Sequence, residues 1–82
     1  MLKKETLPID SVRVPVKRQK TLDAATVQAL AEDMLENGQL TPIRVRDDGA
    51  GFVLIEGYHR LEALRALGEE TVEAYRVRAR LH

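Results

Sequence analysis

The sequence contains no cysteine, no net charge and no long apolar segment, and each absence removes a class of function. Without cysteine among its 82 residues, the chain cannot form disulfides, bind a metal through thiolates or use a cysteine nucleophile. Its two histidines, His59 and His82, are far apart in sequence, so we predict no metal site. Thirteen basic and thirteen acidic residues cancel, which argues against an electrostatic grip of the whole chain on nucleic acid or anionic lipid. No run approaches the roughly 18 apolar residues of a membrane span, and we predict a cytoplasmic protein without membrane contact.

The charge that cancels overall is unevenly distributed along the chain. Residues 1 to 20 hold six basic and two acidic residues, whereas residues 21 to 40 hold four acidic and no basic ones. Part of this basic charge lies in a short connector, residues 16 to 20, which contains Lys17, Arg18 and Lys20. Two interpretations fit the connector: it is a solvated loop, or its Arg18 and Lys20 contact a phosphate.

The length predicts one small domain that covers residues 1–82, with residues 1–6 as a loose N-terminal tail. A chain of this size buries roughly 60% of its surface on folding, and 44% hydrophobic residues indicate a true core. The patterns predict the order strand, helix, strand, strand, helix, strand. This order is typical of an α+β fold in which two main helices pack on a small mixed sheet.

The first helix is predicted from its caps and its apolar face. It should begin at the N-cap Asp23 and end at Asn37-Gly38, where the glycine takes the left-handed cap conformation and Leu40 folds back onto the last turn. The residues of its apolar face fall at helical spacing; they are Val27, Leu30, Ala31, Met34 and Leu35.

Four strands are predicted around the two helices. The first covers residues 7–14, a hairpin follows over residues 41–55 with a turn at 47–51, and the last strand covers residues 72–79. In the last strand, Arg76, Arg78 and Arg80 alternate with apolar residues. This basic face is either a solvated sheet edge that charge protects from aggregation or a surface that contacts DNA.

The stretch Ile55–Arg60 joins the second hairpin strand to the second helix, and we predict it as the site. Gly57 at the helix start allows the backbone to approach a ligand closely, and the first-turn amides that follow lack intrahelical acceptors. A helix start favours acidic side chains, yet His59 and Arg60 stand in this first turn. A phosphate pocket explains two basic residues at the positive end of a helix; the alternative is an exposed helix start with solvated side chains.

Four passages in this order resemble the N-terminal domain of ParB partition proteins and the related sulfiredoxins, over about residues 7–77. They are Val14-Pro15, Leu22-Asp23 with Val27 and Leu30, Gly38-x-Leu40-Thr41-Pro42-Ile43-x-Val45, and Gly57-Tyr58-His59-Arg60-Leu61-Glu62-Ala63. The resemblance implies a bound nucleoside triphosphate, CTP as in ParB or ATP as in sulfiredoxin, together with Mg²⁺. The residues that it implies for nucleotide binding are Gly57, Tyr58, His59, Arg60, Thr41, Pro42, Arg18 and Lys20.

The chain also departs from both families. Tyr58 stands where sulfiredoxin has its reactive cysteine, so reduction of a sulfinic acid by that chemistry is excluded. His59 replaces the first arginine of the ParB motif and Glu62 the last, which removes cationic charge from the triphosphate side and leaves the nucleotide open. The chain ends where ParB proteins continue into further helices, a helix-turn-helix and a dimerisation region.

Three functions fit these residues. The first is a regulatory module in DNA partition or a related plasmid, phage or chromosome process, whose bound nucleotide changes self-association or association with DNA-bound partners. The second is a small phosphotransferase, NTPase or nuclease, in which Glu56 next to the phosphate loop would be the catalytic carboxylate. The third is DNA binding, which we expect only indirectly or through missing domains, because the chain has no net charge and no recognition helix. We predict nucleotide binding without appreciable turnover.

Overall fold

The structure, a computed structural model, describes residues 3–39 and 41–78 and confirms the α+β fold. Its elements in chain order are β1 (Lys4–Pro8), β2 (Val12–Arg13), α1 (Val16–Gln19), α2 (Ala24–Asn37), β3 (Ile43–Asp47), β4 (Phe52–Glu56), α3 (Tyr58–Ala66) and β5 (Thr71–Val77). The five strands form one mixed sheet in the order β1-β5-β3-β4-β2. Strand β5 pairs antiparallel with β1 and parallel with β3, and β4 pairs antiparallel with β3 and parallel with β2.

The prediction of one strand over residues 7–14 is wrong, because the structure divides this segment into β1 and β2. Pro8 has no N–H with which to continue a strand ladder, and a 3₁₀ turn at Ile9–Ser11 follows it. This turn is stabilised by a residue far away in sequence, because the Ile9 N–H donates to the Glu70 carbonyl at 2.9 Å. The Ile9 side chain is also buried. The predicted loose tail is also wrong for residues 4–6, which belong to β1 and pair with β5.

Helix α2 confirms the predicted bounds, because it follows Asp23 and ends at Asn37. The Asp23 side chain makes no capping hydrogen bond, and Gly38 combines a φ of +75° with a ψ of −175°, so the predicted left-handed cap conformation is wrong. The Gly38 N–H donates to the Met34 carbonyl at 2.7 Å. The predicted apolar face of α2 is confirmed except at Leu35, which is 75% exposed; successive residues on a helix point about 100° apart, and Met34 takes the inward position. The contact predicted for Leu40 lies outside the described residues. At 14 residues, α2 is the longest helix described over 3–39 and 41–78, and none there is long and apolar enough to cross a membrane.

The basic connector is one turn of helix, α1, and not the loop that the first interpretation assumes. The Arg18 N–H donates to the Pro15 carbonyl at 2.9 Å, and the Thr21 N–H donates to the Arg18 carbonyl at the same distance. The Thr21 hydroxyl donates to that Arg18 carbonyl as well. These bonds fold the connector into a compact turn and fix the backbone of Arg18.

The hairpin of β3 and β4 is confirmed, with its turn held by two aspartates. The Asp47 carboxylate accepts the Gly49 N–H at 2.9 Å, and the Asp48 carboxylate accepts the Gly51 N–H at 3.0 Å. The last strand covers Thr71–Val77. Its predicted end at residue 79 is too late by at least one residue, because residue 78 is not in the strand. Residue 79 lies outside the described part of the chain.

The core lies between the sheet and the helices, and it fixes α3 against β3. Its largest fully buried side chains come from β3, β4, α3 and β5; they are Ile43, Val45, Leu54, Leu61 and Val72. Because Leu61 is one turn into α3, burying it holds the first turn of that helix close to the end of β4. The β4–α3 junction is therefore a packed part of the fold and not a surface loop.

The Gln39 side chain completes the sheet where β3 has not yet begun. Its Nε2 donates to the Glu73 carbonyl at 3.0 Å, and its Oε1 accepts the Glu73 N–H at 2.9 Å. The amide thus pairs with the β5 backbone as a neighbouring strand would, and its Nε2 also donates to the Thr41 carbonyl at 3.0 Å. Buried backbone groups need partners, and Gln39 supplies those of Glu73.

We expect Gln39→Ala to lower the free energy of unfolding by roughly 1–3 kcal/mol, because it leaves a half-buried backbone N–H and carbonyl without partners. Gln28→Ala is the matched control: Gln28 is exposed and contacts only Glu32 at 3.3 Å, so its loss should cost less than about 0.5 kcal/mol. Urea unfolding of the two variants measures the difference. Equal midpoints would show that the Gln39 amide does not hold β5.

Candidate functional site

A polar pocket of about 300 Å³ lies at the β4–α3 junction that the sequence predicts as the site. Strand β4 ends at Glu56, the chain turns at Gly57, and α3 begins at Tyr58. Helix α1 and one side of α2 close the pocket from the opposite direction. Its lining residues are Arg18, Thr21, Leu30, Glu56, Gly57, Tyr58, His59 and Arg60.

Gly57 is required by the fold itself. Its φ of +105° and ψ of 32° lie in the left-handed region, which residues with a Cβ rarely adopt. A Cβ at this position would also lie 2.7 Å from Cγ2 and 3.0 Å from Cβ of the fully buried Ile43. The sequence pattern predicts this glycine for the close approach of a ligand, whereas the fold requires it even without one.

The first turn of α3 presents unpaired donors to the pocket. The Leu61 N–H is the first to find an acceptor in the helix, the Gly57 carbonyl at 2.9 Å, so the N–H groups of residues 58 to 60 have none within it. Arg60 is half-buried, and no acidic side chain of the described chain forms an ion pair with it. A cation and three amides therefore meet at the positive end of a helix, which is an arrangement that binds anions.

Arg18 supplies a second cation from the other side of the pocket. Its Nη2 donates to the carbonyl of Ile55 near the end of β4, so the guanidinium crosses from α1 to the sheet. A carbonyl occupies one donor of a guanidinium that has five and does not neutralise its charge. The structure thus brings Arg18 of the basic connector to the pocket, and its contact with a phosphate stays a prediction.

His59 contacts the start of α2. Its Nε2 accepts the backbone N–H of Asp23 at 3.0 Å, and its ring lies 6.0 Å from that of Tyr58, tilted by 51°. The Thr26 hydroxyl donates to the Asp23 carboxylate and is the main cause that lowers the pKa of this carboxyl below its ordinary value. Desolvation opposes this shift, and the backbone amides of Ala25 and Thr26 lower the pKa further.

Other predicted site residues are placed differently. Tyr58 reaches the pocket, but its side chain is only 9% exposed and belongs to the core cluster. Glu56 is an exposed residue at the pocket edge. Thr41, Pro42 and Lys20 do not line this pocket. Their roles stay predictions.

Two lining residues, Thr21 and Leu30, are not predicted from the sequence. Thr21 stands directly after the basic connector. Threonine often hydrogen-bonds nearby backbone groups at turns, so predicting a helical turn over the connector would have drawn attention to Thr21. Leu30 belongs to the predicted apolar face of α2, and nothing local distinguishes a leucine over a pocket from one over the core. The tertiary packing of α2 on α3 decides that difference.

Three arginines outside the pocket, Arg13, Arg65 and Arg76, form ion pairs with carboxylates. Arg76 contacts Glu5 at 2.9 Å and Asp47 at 3.7 Å, and its guanidinium carbon lies 5.1 Å from the centroid of Phe52. Arg13 contacts Asp48 at 3.1 Å and is the main cause of a lowered pKa of that carboxyl. The predicted basic face of β5 is therefore compensated at Arg76; its third member, Arg80, lies outside the described residues.

A larger groove elsewhere lacks the chemistry of the junction pocket. It measures about 530 Å³, lies between α2 and α3, and is lined mostly by apolar residues such as Leu22, Val27 and Ala31. Its cation, Arg65, already contacts Glu62 and Asp10 at 3.3 and 3.6 Å. The junction pocket therefore remains the candidate site for an anionic ligand.

Comparison with known proteins agrees with this fold. The family model of the ParB N-terminal domain matches residues 2–80. The chromosome-partitioning protein ParB of Myxococcus xanthus is 36% identical over 69 residues, which cover 83% of this chain and 23% of that protein. The chain thus spans about a quarter of the length of this relative.

Solved structures share the architecture. Sulfiredoxin from Arabidopsis thaliana superposes with a TM-score of 0.84 and 26% identity, over 94% of this chain and 86% of its own. A C-terminally truncated ParB from Caulobacter crescentus, complexed with CTP-gamma-S, superposes with a TM-score of 0.81 and 23% identity, over 95% of this chain and 46% of its own. At these identities the agreement in structure concerns the fold.

Proposed function

This chain belongs to the ParB N-terminal domain family, and from that premise we propose that it binds a nucleoside triphosphate, CTP or ATP, at the β4–α3 junction. The phosphates would lie against the first turn of α3, between Arg60 and Arg18. Binding would regulate a process of DNA partition or a related plasmid, phage or chromosome function. DNA would be reached indirectly, through self-association or through partners.

The observation that carries this proposal is the convergence of two unneutralised guanidinium groups and three unpaired amides on one pocket. Arg60 and Arg18 approach from α3 and α1, and their charges find no carboxylate partner in the described structure. A phosphate group supplies the acceptors for both the guanidinium forks and the amides. Such an anion would also offset the repulsion between the two like charges that line this pocket of about 300 Å³.

The relatives support the nucleotide assignment. A ParB of the same fold was crystallised with CTP-gamma-S, and the curated relative acts in chromosome partition. Glu56 is the one carboxylate among the described lining residues, and Mg²⁺ is commonly held by one or two carboxylates together with substrate phosphates. Glu56 would thus face the metal of a bound Mg²⁺-nucleotide complex.

Calorimetric titration of CTP, ATP, GTP and UTP, each with and without Mg²⁺, tests the proposal. We expect one of the triphosphates to bind, and its monophosphate to bind more weakly because it lacks the outer phosphates. Phosphate release measured in the same samples tests the enzymatic alternative, in which Glu56→Gln would remove any activity. If all triphosphates fail to bind to the folded protein, the proposed function is wrong.

A further inference from the structure

We infer that His59 is a positioning residue. Its Nε2 atom attaches the start of α2 to the β4–α3 junction and thereby holds in place the α1–α2 connection, which forms one side of the pocket. The sequence pattern assigns this histidine as a phosphate ligand. The structure shows instead a specific contact to protein backbone, between two segments 36 residues apart. The inference deepens the proposed function, but its first test needs no nucleotide.

The hydrogen bond fixes the chemical form of the ring. Because Nε2 accepts the Asp23 N–H at 3.0 Å, this nitrogen carries no proton, and the ring is the neutral tautomer with its hydrogen on Nδ1. A histidine that bound phosphate as an imidazolium would donate from both nitrogens and would lose this acceptor. His59 therefore cannot hold the Asp23 amide through Nε2 and bind phosphate as a cation at the same time.

The segment that His59 holds is the α1–α2 connection, which forms one side of the pocket. At one end of this segment, Arg18 donates to the Ile55 carbonyl of β4. Thr21 is folded onto Arg18 through its N–H and its hydroxyl, at 2.9 and 2.6 Å. At the other end, Asp23 donates to His59 of α3. The connection is thus attached to both elements of the β4–α3 junction, the end of β4 and the start of α3.

Without the contact at Asp23, the Arg18 side chain would provide the one remaining hydrogen bond between the connection and the β4–α3 junction among the described residues. Its residues 20 to 26 are exposed, so burial contributes little to holding them. Arg18 and Thr21, which line the pocket, would then lose part of their fixed placement. A phosphate site depends on preorganised donors, and His59 would act on affinity through Arg18 and Thr21.

The first test is hydrogen exchange of the Asp23 amide in the nucleotide-free protein, followed by NMR. His59→Ala should make this amide exchange about tenfold faster, as expected for the loss of one neutral hydrogen bond. His59→Gln should restore slow exchange, since its Oε1 acceptor is the same number of bonds from Cα as Nε2. His59→Lys should not, because an ammonium has no acceptor. Thr26→Val is the control that disturbs the Asp23 carboxylate and spares its N–H.

The second test compares the nucleotide affinities of the same variants, with Mg²⁺-CTP and Mg²⁺-ATP as probes. We expect His59→Gln to bind within about threefold of wild type and His59→Lys to bind about tenfold more weakly, as the loss of one hydrogen bond in the pocket wall predicts. By reciprocity of coupling, nucleotide should also slow exchange of the Asp23 amide in the wild type. A direct phosphate ligand would show the reverse order, with the cationic lysine stronger than the glutamine.

Two outcomes would overturn the inference. One is an Asp23 amide whose exchange is the same in wild type and in folded His59→Ala; the other is stronger nucleotide binding by His59→Lys than by His59→Gln. If the wild type binds neither nucleotide, the proposed function fails, while the exchange data still decide whether His59 holds the α1–α2 connection.

Discussion

Gly57→Ala is expected to lower the free energy of unfolding by roughly 2–5 kcal/mol, from two additive causes. A residue with a Cβ in the left-handed region costs roughly 1–2 kcal/mol, and Gly57 has a φ of +105°. The new methyl group would also lie 2.7 Å from Cγ2 of Ile43, and overpacking a core typically costs about 1–3 kcal/mol. Chemical unfolding followed by circular dichroism measures the sum.

Gly68→Ala separates these two causes. Gly68 follows α3 with a φ of +79°, and a Cβ there meets nothing within 4 Å, so only the conformational cost of roughly 1–2 kcal/mol applies. The difference between the two variants measures the contact of residue 57 with Ile43. If both glycine variants lose the same stability, the close approach of β3 to the junction does not constrain residue 57.

Arg60→Ala is expected to weaken nucleotide binding roughly 10- to 100-fold, the loss of charge-assisted hydrogen bonds worth about 1.5–3 kcal/mol. Stability should change little, because Arg60 is half-buried and forms no ion pair with a described acidic residue. Calorimetry with the triphosphate that binds the wild type gives the affinity, and a thermal melt gives the stability.

Arg65→Ala is the matched control on the same helix. It removes the same charge from the protein, but Arg65 lies outside the pocket and contacts Glu62 and Asp10. Exposed ion pairs contribute little, so both affinity and stability should stay near wild type. Equal loss of affinity in the two variants would indicate a general effect of net charge, and unchanged affinity in Arg60→Ala would remove Arg60 from the proposed site.

The amino-acid sequence by itself determined the features that depend on neighbouring residues. The bounds of α2 follow from Asp23 and Gly38, which are local caps, and the β3–β4 hairpin follows from alternation around an Asp-Asp-Gly turn. The same holds for the place of the junction, since a glycine between an apolar strand and an apolar helix is visible in sequence. The family resemblance, carried by residues in these local passages, was confirmed by the family model over residues 2–80.

Only the tertiary structure decided which roles the junction residues take. The need for Gly57 arises from Ile43 on a neighbouring strand, and the partner of His59 is a backbone amide 36 residues away. The charge of Arg76 on β5 is compensated by Glu5 on the neighbouring strand β1. The division of the first predicted strand depends on Glu70 in the same way. Each of these contacts joins segments far apart in sequence, and periodicity and capping report only on interactions within a few residues, so no local pattern could show them.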